Sequence, residues 1–371
     1  MLHTDIPTSR EIAGLADATG DCCVSIYTPT EPSSAAREEN RIAFQNQVRE
    51  AVELVDDKAK RIALEEQFDD LMDDADFWRF LANTLVVFAT PTWMRIFRIP
   101  NRLAAAVTVD NRFLLKPLLR ATTFAQTAFV LALSEGSARL VEITPDSPVQ
   151  DVRVPEMPSS AADYARRASL TDRSPKGRIQ GGEGKKVLIR QYARAVDRAL
   201  RDTLAGEDIP LILAAPEPVG AMFRAVNRYP GLLDETITGN PEHLRDVDLD
   251  SRAREILDRH YAAELADLRQ VFEESRGDGR ATADVADIAR AATFGNVDTV
   301  MLNIEDIEPG TISPDTGAVD FAPDSEINTP GVLDEVARRV LASSGRVLAL
   351  RSEEIPDGAS AAAILRYPMP G

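Results

Sequence analysis

The chain has little of the chemistry on which metal centres and disulfides depend. Its 371 residues include two cysteines and three histidines, and aromatic residues make up 6%. Cys22 and Cys23 are adjacent, which disfavours a disulfide between them and provides no metal-ligand spacing. His3, His243 and His260 are scattered along the chain. We therefore expect no metal site and no cofactor.

Long hydrophobic runs are also absent. No apolar segment is long enough to span a bilayer. The first twenty residues contain Asp5, Arg10, Glu11 and Asp17 and have no apolar centre, unlike a secretory signal peptide. These features, together with the scarcity of cysteine, predict a cytosolic protein.

Positive charge is scarce overall and concentrated in one place. The formal net charge is -18 and the pI is about 4.7, which argues against a protein that coats DNA nonspecifically. Residues 163–201 nevertheless contain eleven Lys/Arg against four Asp/Glu. This segment carries about +7, so the remainder carries about -25. Such a local patch favours phosphate groups as binding partners.

A glycine-rich sequence lies at the centre of this basic segment. Gly181-Gly182-Glu183-Gly184 precedes a stretch with helical periodicity, and glycines allow a backbone to approach a partner closely. The predicted apolar face of that helix consists of Val187, Ile189, Tyr192, Ala193, Val196, Ala199 and Leu200. Arg190, Arg194, Arg198 and Arg201 occupy its other faces. The predicted RNA-contacting cations are Arg173, Lys176, Arg178, Lys185, Lys186, Arg190, Arg194 and Arg198.

This glycine-rich sequence has two other interpretations. A nucleotide-binding P-loop requires G-x-x-x-x-G-K-[ST], but Ile179 stands at the first glycine position and Lys186 at the hydroxyl position. A flexible connector without function is compatible with the same residues. No G-x-S-x-G motif or usable Cys/His pair indicates ordinary hydrolase chemistry.

The periodicity predicts an α/β protein of three domains, with boundaries at 1–120, 121–276 and 277–371. Amphipathic helices are expected over 37–56, with Ile42, Val48, Val52 and Val55 inward, and over 58–72, with Ile62, Leu64, Phe68 and Leu71 inward. The acidic run from Asp69 to Asp76 is interpreted as a solvated helix end. Residues 144–186 are predicted to be a long loop, with 155–186 mobile, and 305–330 a polar insertion. Residues 277–371 predict a small α/β/α sandwich with a mainly parallel sheet.

The order of these elements resembles the archaeo-eukaryotic class 1 peptide-chain release factors and Pelota, and especially their bacterial counterparts. The resemblance covers about residues 125–371, whereas residues 1–120 match only the bacterial relatives and weakly. It rests on Gly181-Gly182 before a basic helix, and on GNVDTVML at 295–302, SGRVLAL at 344–350 and AILRY at 363–367. The resemblance implies a central domain that carries the loop and a C-terminal domain like ribosomal protein L7Ae.

In release factors the loop reads Gly-Gly-Gln and positions a water against the peptidyl-tRNA ester. By this resemblance Gly181 and Gly182 match the two glycines, and Glu183 replaces glutamine as the candidate catalytic residue. The carboxylate lacks amide donors and adds negative charge among RNA phosphates, which predicts inefficient peptide release. The Asn-Ile-Lys-Ser motif for codon reading is absent from residues 1–120.

The resemblance implies a bacterial, ribosome-associated factor that occupies the A site in rescue or hibernation, with a translational GTPase as partner of the C-terminal domain. The alternatives are a peptidyl-tRNA hydrolase that uses Glu183 and a non-ribosomal binding protein that kept the fold.

Overall fold

The computed structural model describes residues 4–124, 126–145, 148–170, 182–303, 308–322 and 331–369. They form two compact units. One consists of residues 126–260, and the other combines the residues up to 124 with those from 261 onward. No described helix is both long and apolar enough to cross a membrane.

The N-terminal part of the larger unit is an antiparallel sheet covered by helices. Its elements are α1 (Ser9–Asp17), β1 (Thr19–Pro29), α2 (Arg37–Glu53), α3 (Lys58–Asp73), β2 (Thr84–Thr90), β3 (Trp93–Ile99), β4 (Ala106–Arg112) and α4 (Lys116–Thr122). The strand order is β3-β2-β1-β4. Successive strand residues point to opposite faces, so Cys22 packs with the α2 and α3 side chains while Cys23 packs on the other face. This alternation explains why two adjacent cysteines are both buried.

The helices of this part differ from the prediction in two ways. Ile42 and Ile62 were expected to face inward but are 50% and 45% exposed, whereas Phe68, as predicted, and Phe44, which was not predicted, are fully buried. The larger aromatic rings occupy the limited space against the sheet, where they contact each other edge to face. Helix α1 was not predicted; Thr8 and Glu11 form a capping box at its start.

The smaller unit is built on a mixed five-stranded sheet. Its elements are β5 (Ala128–Leu133), β6 (Ala138–Ile143), β7 (Gln150–Val152), α5 (Ala161–Leu170), α6 (Gly182–Thr203), β8 (Leu211–Ala215), α7 (Val219–Arg224), β9 (Leu232–Thr238) and α8 (Asp246–Gly277), whose residues from 261 onward belong to the other unit. The strand order is β7-β6-β5-β8-β9, with β5, β8 and β9 parallel. Helix α6 is the crossover that parallel neighbours such as β5 and β8 require.

The prediction of one long loop over 144–186 is wrong. Strand β7 pairs with β6 at the sheet edge, and α5 occupies residues 161–170. The helix was missed because it is short and its start depends on side-chain bonds: the Asp163 amide donates to Ser160 Oγ over 3.0 Å, and the Ser159 amide donates to the Asp163 carboxylate over 3.2 Å. Residues 171–181 lie outside the described residues, so the mobility predicted for 155–186 stays a prediction there.

The C-terminal part of the larger unit forms a second four-stranded sheet. Its elements are β10 (Ala281–Thr282), α9 (Val285–Thr293), β11 (Val297–Asn303), β12 (Gly310–Ile312), β13 (Val319–Phe321), α10 (Val332–Ala342), β14 (Arg346–Leu350) and β15 (Ala361–Leu365). Strands β12 and β13 form a small hairpin within the predicted polar insertion. The sheet order is β10-β15-β11-β14, and only β11 and β14 run parallel.

The expected mainly parallel sheet is therefore wrong for this part. Helix α10 is the crossover between β11 and β14, which makes that pair parallel. Residues 351–360, between β14 and β15, hold two short 3₁₀ turns and no crossover helix. Because parallel pairing needs a crossover of about a dozen residues or more, β15 returns antiparallel to β11.

Helices cover both faces of this second sheet. On one face α9 and α10 pack on Val300, Val347 and Ala363. On the other face Phe272 of α8 packs on Met301 and Leu348. The α/β class and the α/β/α layering agree with expectation, whereas the three-domain division at about 120 and 276 stays a prediction.

Candidate nucleic-acid interface

Helix α6 is fixed by one apolar face. The buried residues of that face are Ile189, Tyr192, Ala193, Val196, Ala199 and Leu200. The Tyr192 hydroxyl donates to the Ser137 carbonyl over 3.2 Å, and burial raises the pKa of Tyr192, so the hydroxyl keeps its proton. Val187, which was predicted on this face, is 36% exposed because it lies in the first turns, before the helix meets the sheet.

The opposite face of α6 carries an arginine stripe, which we define as Arg190, Arg194 and Arg198. Residues four apart lie on one side of a helix, and all three side chains are exposed. Within the described part of the chain, none of the three forms an ion pair or a hydrogen bond. By contrast, Arg201 lies 3.4 Å from Asp197, a buried carboxylate that also accepts from the Arg228 amide over 2.9 Å. The stripe thus holds three positive charges whose partners are solvent.

The two lysines at the start of α6 are in a different situation. Lys185 Nζ lies 2.9 Å from the Glu135 carboxylate, in the turn between β5 and β6. Both side chains are substantially exposed, so this ion pair is weak and a phosphate could replace Glu135. Lys186 is exposed as well. Lys185 is therefore able to contact a phosphate, although Glu135 partly neutralises its charge.

The Gly-Gly-Glu segment meets the described structure at the start of α6. The helix begins at Gly182, so the backbone of Gly182 and Glu183 is helical, whereas Gly181 lies outside the described residues. The predicted contacts Arg173, Lys176 and Arg178 also lie outside them. The first four N–H groups of a helix have no partner within the helix, and they carry partial positive charge. In α6 those groups belong to the glycine-rich segment and to Lys185.

A polar cluster around the buried Ser134 fixes the β5–β6 turn beside the start of α6. The Ser134 hydroxyl donates to the Glu242 carboxylate and accepts from the amides of Gly136, over 3.0 Å, and Ser137, over 2.8 Å. The Glu135 carbonyl accepts from the Ala161 amide at the start of α5 over 3.0 Å. The turn therefore contacts the first residues of both helices that flank residues 171–181. This cluster was not predicted; its signal in the sequence is a serine and a glutamate, Ser134 and Glu242, each next to turn residues.

The acidic run at the end of α3 is a solvent-exposed helix end. Its aspartates are exposed, and Asp74 accepts from the amides of Asp76, over 3.1 Å, and Phe77, over 3.0 Å. The prediction of a solvated helix end is confirmed. Among the described residues, no group of three or more His, Cys, Asp or Glu side chains could hold a metal ion.

The segment that carries this interface also matches a known family. Residues 125–263 match the family "Bacterial archaeo-eukaryotic release factor family 11". Residues 125–263 are therefore similar to the bacterial branch of the archaeo-eukaryotic release factors. The family match includes the β5–β6 turn, the whole of α6 and its arginine stripe. No curated protein sequence matches the chain significantly.

Solved structures of related proteins resemble this release-factor-like chain only distantly. Dom34 of S. cerevisiae, described as a translation termination-like factor, is 14% identical over 78% of this chain and 74% of its own, with a TM-score of 0.43. Ribosome-bound archaeal Pelota is 13% identical over 99% and 96%, with a TM-score of 0.43. Pelota of Archaeoglobus fulgidus is 12% identical over 99% and 95%, with a TM-score of 0.30. All three TM-scores are low, so the similarity to release factors rests on the family match of residues 125–263.

Proposed function

We propose that this release-factor-like protein is a translation factor that binds the ribosomal A site and contacts ribosomal RNA through the arginine stripe of α6. The stripe is the observation that carries the proposal. Its three guanidinium groups face solvent in a chain of net charge -18. Guanidinium groups are weakly hydrated and match phosphate oxygens with paired donors, which suits them to RNA backbones.

The location of the arginine stripe supports an approach in which the start of α6 enters the ribosome first. It begins seven residues after Glu183, on the helix whose first residues are Gly182 and Glu183. Phosphate contacts along α6 would therefore orient the Gly-Gly-Glu segment, because the helix is rigidly packed through Tyr192 and its neighbours. The Lys185 side chain would exchange Glu135 for a phosphate during docking.

We propose that the factor acts in ribosome rescue or hibernation without efficient peptide release. Glu183 replaces the glutamine of release factors and lacks the amide N–H groups that a glutamine would offer. The competing hypothesis is a peptidyl-tRNA hydrolase in which Glu183 acts as a base, which requires a carboxylate within hydrogen-bond reach of the attacking water.

A translational GTPase is the proposed protein partner, and it would bind residues 277–371. Dom34 is described as interacting with Hbs1, and archaeal Pelota was described together with ABCE1 on the ribosome. The proposal for this chain rests on its resemblance to that family. A pull-down with the elongation-factor-like GTPases of its host, with and without residues 277–371, tests it.

Ribosome co-sedimentation with matched triple variants tests the RNA-binding proposal. Replacing Arg190, Arg194 and Arg198 by glutamine removes three unpaired charges. The control, which we call the α8 variant, replaces three exposed arginines, Arg245 just before α8 and Arg252 and Arg259 within it, so that the net charge changes equally. We expect the α6 variant to bind at least about tenfold more weakly at 150 mM salt, since every phosphate that the protein no longer neutralises lowers its affinity for RNA. The α8 variant should bind like the wild type.

The same assay separates the remaining alternatives. Equal weakening in the two variants would mean that overall charge, rather than the stripe, drives binding. No co-sedimentation of the wild-type chain at low salt would favour the non-ribosomal binding protein. Release of peptide from loaded ribosomes by the wild-type chain would favour the hydrolase.

A further inference from the structure

Strand β3 forms one edge of the N-terminal sheet, and its outer side is covered at only one end. All of its residues pair with β2 on the inner side. On the outer side the Asp5 amide donates to the Arg98 carbonyl over 2.9 Å, and the Arg98 amide donates to the Asp5 carbonyl over 3.1 Å. The backbone groups of Arg98 therefore point away from β2, towards an extended antiparallel segment.

Two further residues of β3 share this outward direction. Alternate residues of an antiparallel strand direct their N–H and C=O groups to the same side, so those of Met94 and Ile96 also point away from β2. Within the part of the chain that the structure describes, no group hydrogen-bonds to them on that side. An open edge of this kind is a template on which another strand can pair.

The side chains around this open edge are apolar and held in place. On one face Met94 and Ile96 pack on the core that α2 and α3 cover. On the other face the Trp93 ring lies 5.4 Å from the Phe113 ring, measured between centroids, and Phe97 is buried. An incoming strand would therefore meet an ordered backbone with apolar neighbours on both faces.

The charge of Arg95 indicates which strand fits this edge. Arg95 is exposed between Trp93 and Phe97, and it forms no ion pair with any described residue. A second copy that docked antiparallel through Met94 and Ile96 would place its own Arg95 directly opposite, and like charges in that position are destabilising. An acidic residue opposite Arg95 would instead be stabilising. The covered end of the edge has the same combination, because Asp5 lies opposite Arg98.

We propose that the open edge of β3 binds an extended segment of another protein, with an acidic side chain opposite Arg95 and apolar side chains opposite Trp93 and Phe97. The bound segment would run antiparallel to β3, as the residues around Asp5 do. The residues opposite Met94 and Ile96 would each exchange a pair of N–H···O bonds with β3, which is the way in which strand addition provides affinity. The side chains on either side of the acidic residue would provide specificity.

The test uses three short peptides and the full-length protein. The peptide KVTETVK, acetylated and amidated at its ends and labelled with fluorescein, places glutamate opposite Arg95. KVTKTVK reverses that charge, and a third peptide is KVTETVK with N-methylated threonine residues, which cannot donate to Ile96 and Met94. Fluorescence anisotropy at 150 mM salt should show saturable binding of KVTETVK and at least about fivefold weaker binding of the other two. Hydrogen exchange should show new protection within residues 93–97 when KVTETVK is bound.

The acidic chain makes the charge comparison stringent. With a net charge of -18, general attraction favours the more positive peptide KVTKTVK, so a preference for KVTETVK reports a local contact. Arg95→Glu should reverse the preference between these two peptides. Arg49→Glu makes the same charge change at an exposed site of α2 and should leave the preference unchanged.

A second pair of variants tests the backbone contact. Ile96→Pro removes an N–H group that points away from β2, so pairing between β2 and β3 is retained while an added strand loses a donor. It should weaken KVTETVK at least about fivefold relative to Ile96→Ala, which loses the same side-chain contacts and keeps the N–H. If Ile96→Pro does not fold, the N-methylated peptide and the comparison of Arg95→Glu with Arg49→Glu decide the matter.

The proposal is overturned by any of four results. These are no saturable binding of KVTETVK, equal affinity of the wild type for KVTETVK and KVTKTVK, no new protection of residues 93–97, or a dimer of the wild type that Ile96→Pro abolishes. The last result would assign the edge to a second copy of this chain. None of them bears on ribosome binding through α6, since β3 lies outside the unit that carries this helix.

Discussion

Glu183 is the single residue at which the glycine-rich segment departs from the Gly-Gly-Gln of release factors. Its backbone belongs to the first turn of α6, so a substitution there changes the chemistry at the start of a helix that is anchored elsewhere. A substitution of Glu183 can therefore test catalysis without changing the residues proposed to bind RNA.

Glu183→Ala should leave ribosome affinity within about twofold, because the arginine stripe and the buried face of α6 are unchanged. We expect no loss of peptide release, since the wild type is expected to release little. A peptidyl-tRNA release assay alongside co-sedimentation measures both. If the wild type releases peptide and Glu183→Ala abolishes release with binding intact, Glu183 is catalytic and the non-hydrolytic proposal is wrong.

Glu183→Gln is the complementary change. It restores Gly-Gly-Gln, removes one negative charge and supplies amide donors. We expect release to rise above the wild-type level where the segment reaches the peptidyl-tRNA ester. The gain depends on placement, because errors of about 1 Å can lower a rate about a hundredfold. The same release assay measures it, with Glu183→Ala as the control for loss of charge alone.

Glu335 is a second position at which one residue controls a local structure. Burial alone would raise its pKa, but hydrogen bonds from Arg338 and Arg339 and the charge of Arg112 lower the pKa to about 2. Because the pKa is lowered on folding, the ion pairs stabilise the protein above pH 4.5, and this stability disappears as the pH falls towards 2.

Glu335→Gln should reduce the free energy of unfolding by on the order of 3 kcal/mol at pH 7, since it leaves buried guanidinium groups without a counter-charge. The difference from the wild type should shrink between pH 4.5 and pH 2. Urea unfolding across this pH range measures it. Glu66→Gln, on the exposed side of α3, should change stability by less than about 0.5 kcal/mol. A difference that does not depend on pH would contradict the role of the charge.

At the scale of elements, two glycines show how the surrounding atoms decide whether replacement by alanine stabilises or destabilises the protein. Gly14 lies within α1, and an added Cβ would meet nothing within 4 Å. Gly345 lies between α10 and β14, where a Cβ would lie 2.6 Å from Val340 Cγ1 and 2.8 Å from the Val297 carbonyl oxygen. The first site tolerates a side chain and the second does not.

Gly14→Ala should raise the free energy of unfolding by about 0.5–1 kcal/mol, because alanine has the higher helix propensity. Gly345→Ala should lower it by about 1–3 kcal/mol, since the carbonyl of β11 would have to move. Thermal and urea unfolding of the two variants measures both changes. Changes of the same sign in both would contradict the packing described at 345.

At the scale of the whole molecule, charge is distributed unevenly. Residues 163–201 carry about +7 within a chain of net charge -18. RNA should therefore attract the molecule only when residues 163–201 face it, because the rest of the chain is acidic.

Ribosome affinity should fall steeply as salt rises from about 50 to 300 mM, and the logarithmic salt slope should be shallower by about two to three in the α6 triple variant. Filter binding or sedimentation across the series measures the slope. The α8 triple variant should keep the wild-type slope. Identical slopes in all three proteins would exclude the stripe as the phosphate contact.

Local patterns determined much of this protein. Apolar periodicity predicted the buried face of α6 except for Val187, because that face depends on side chains a few positions apart. The concentration of arginines and the glycine-rich segment identified the candidate interface for the same reason. Only the tertiary structure decided the rest. The direction of β15 depends on the connection after β14. Whether Arg190, Arg194 and Arg198 face solvent or form ion pairs depends on which carboxylates lie near them in space. The larger unit also has a cavity, lined in part by Asp334, because α1, β4, α4 and α10 meet there. These features depend on residues far apart in sequence, which a local pattern does not record.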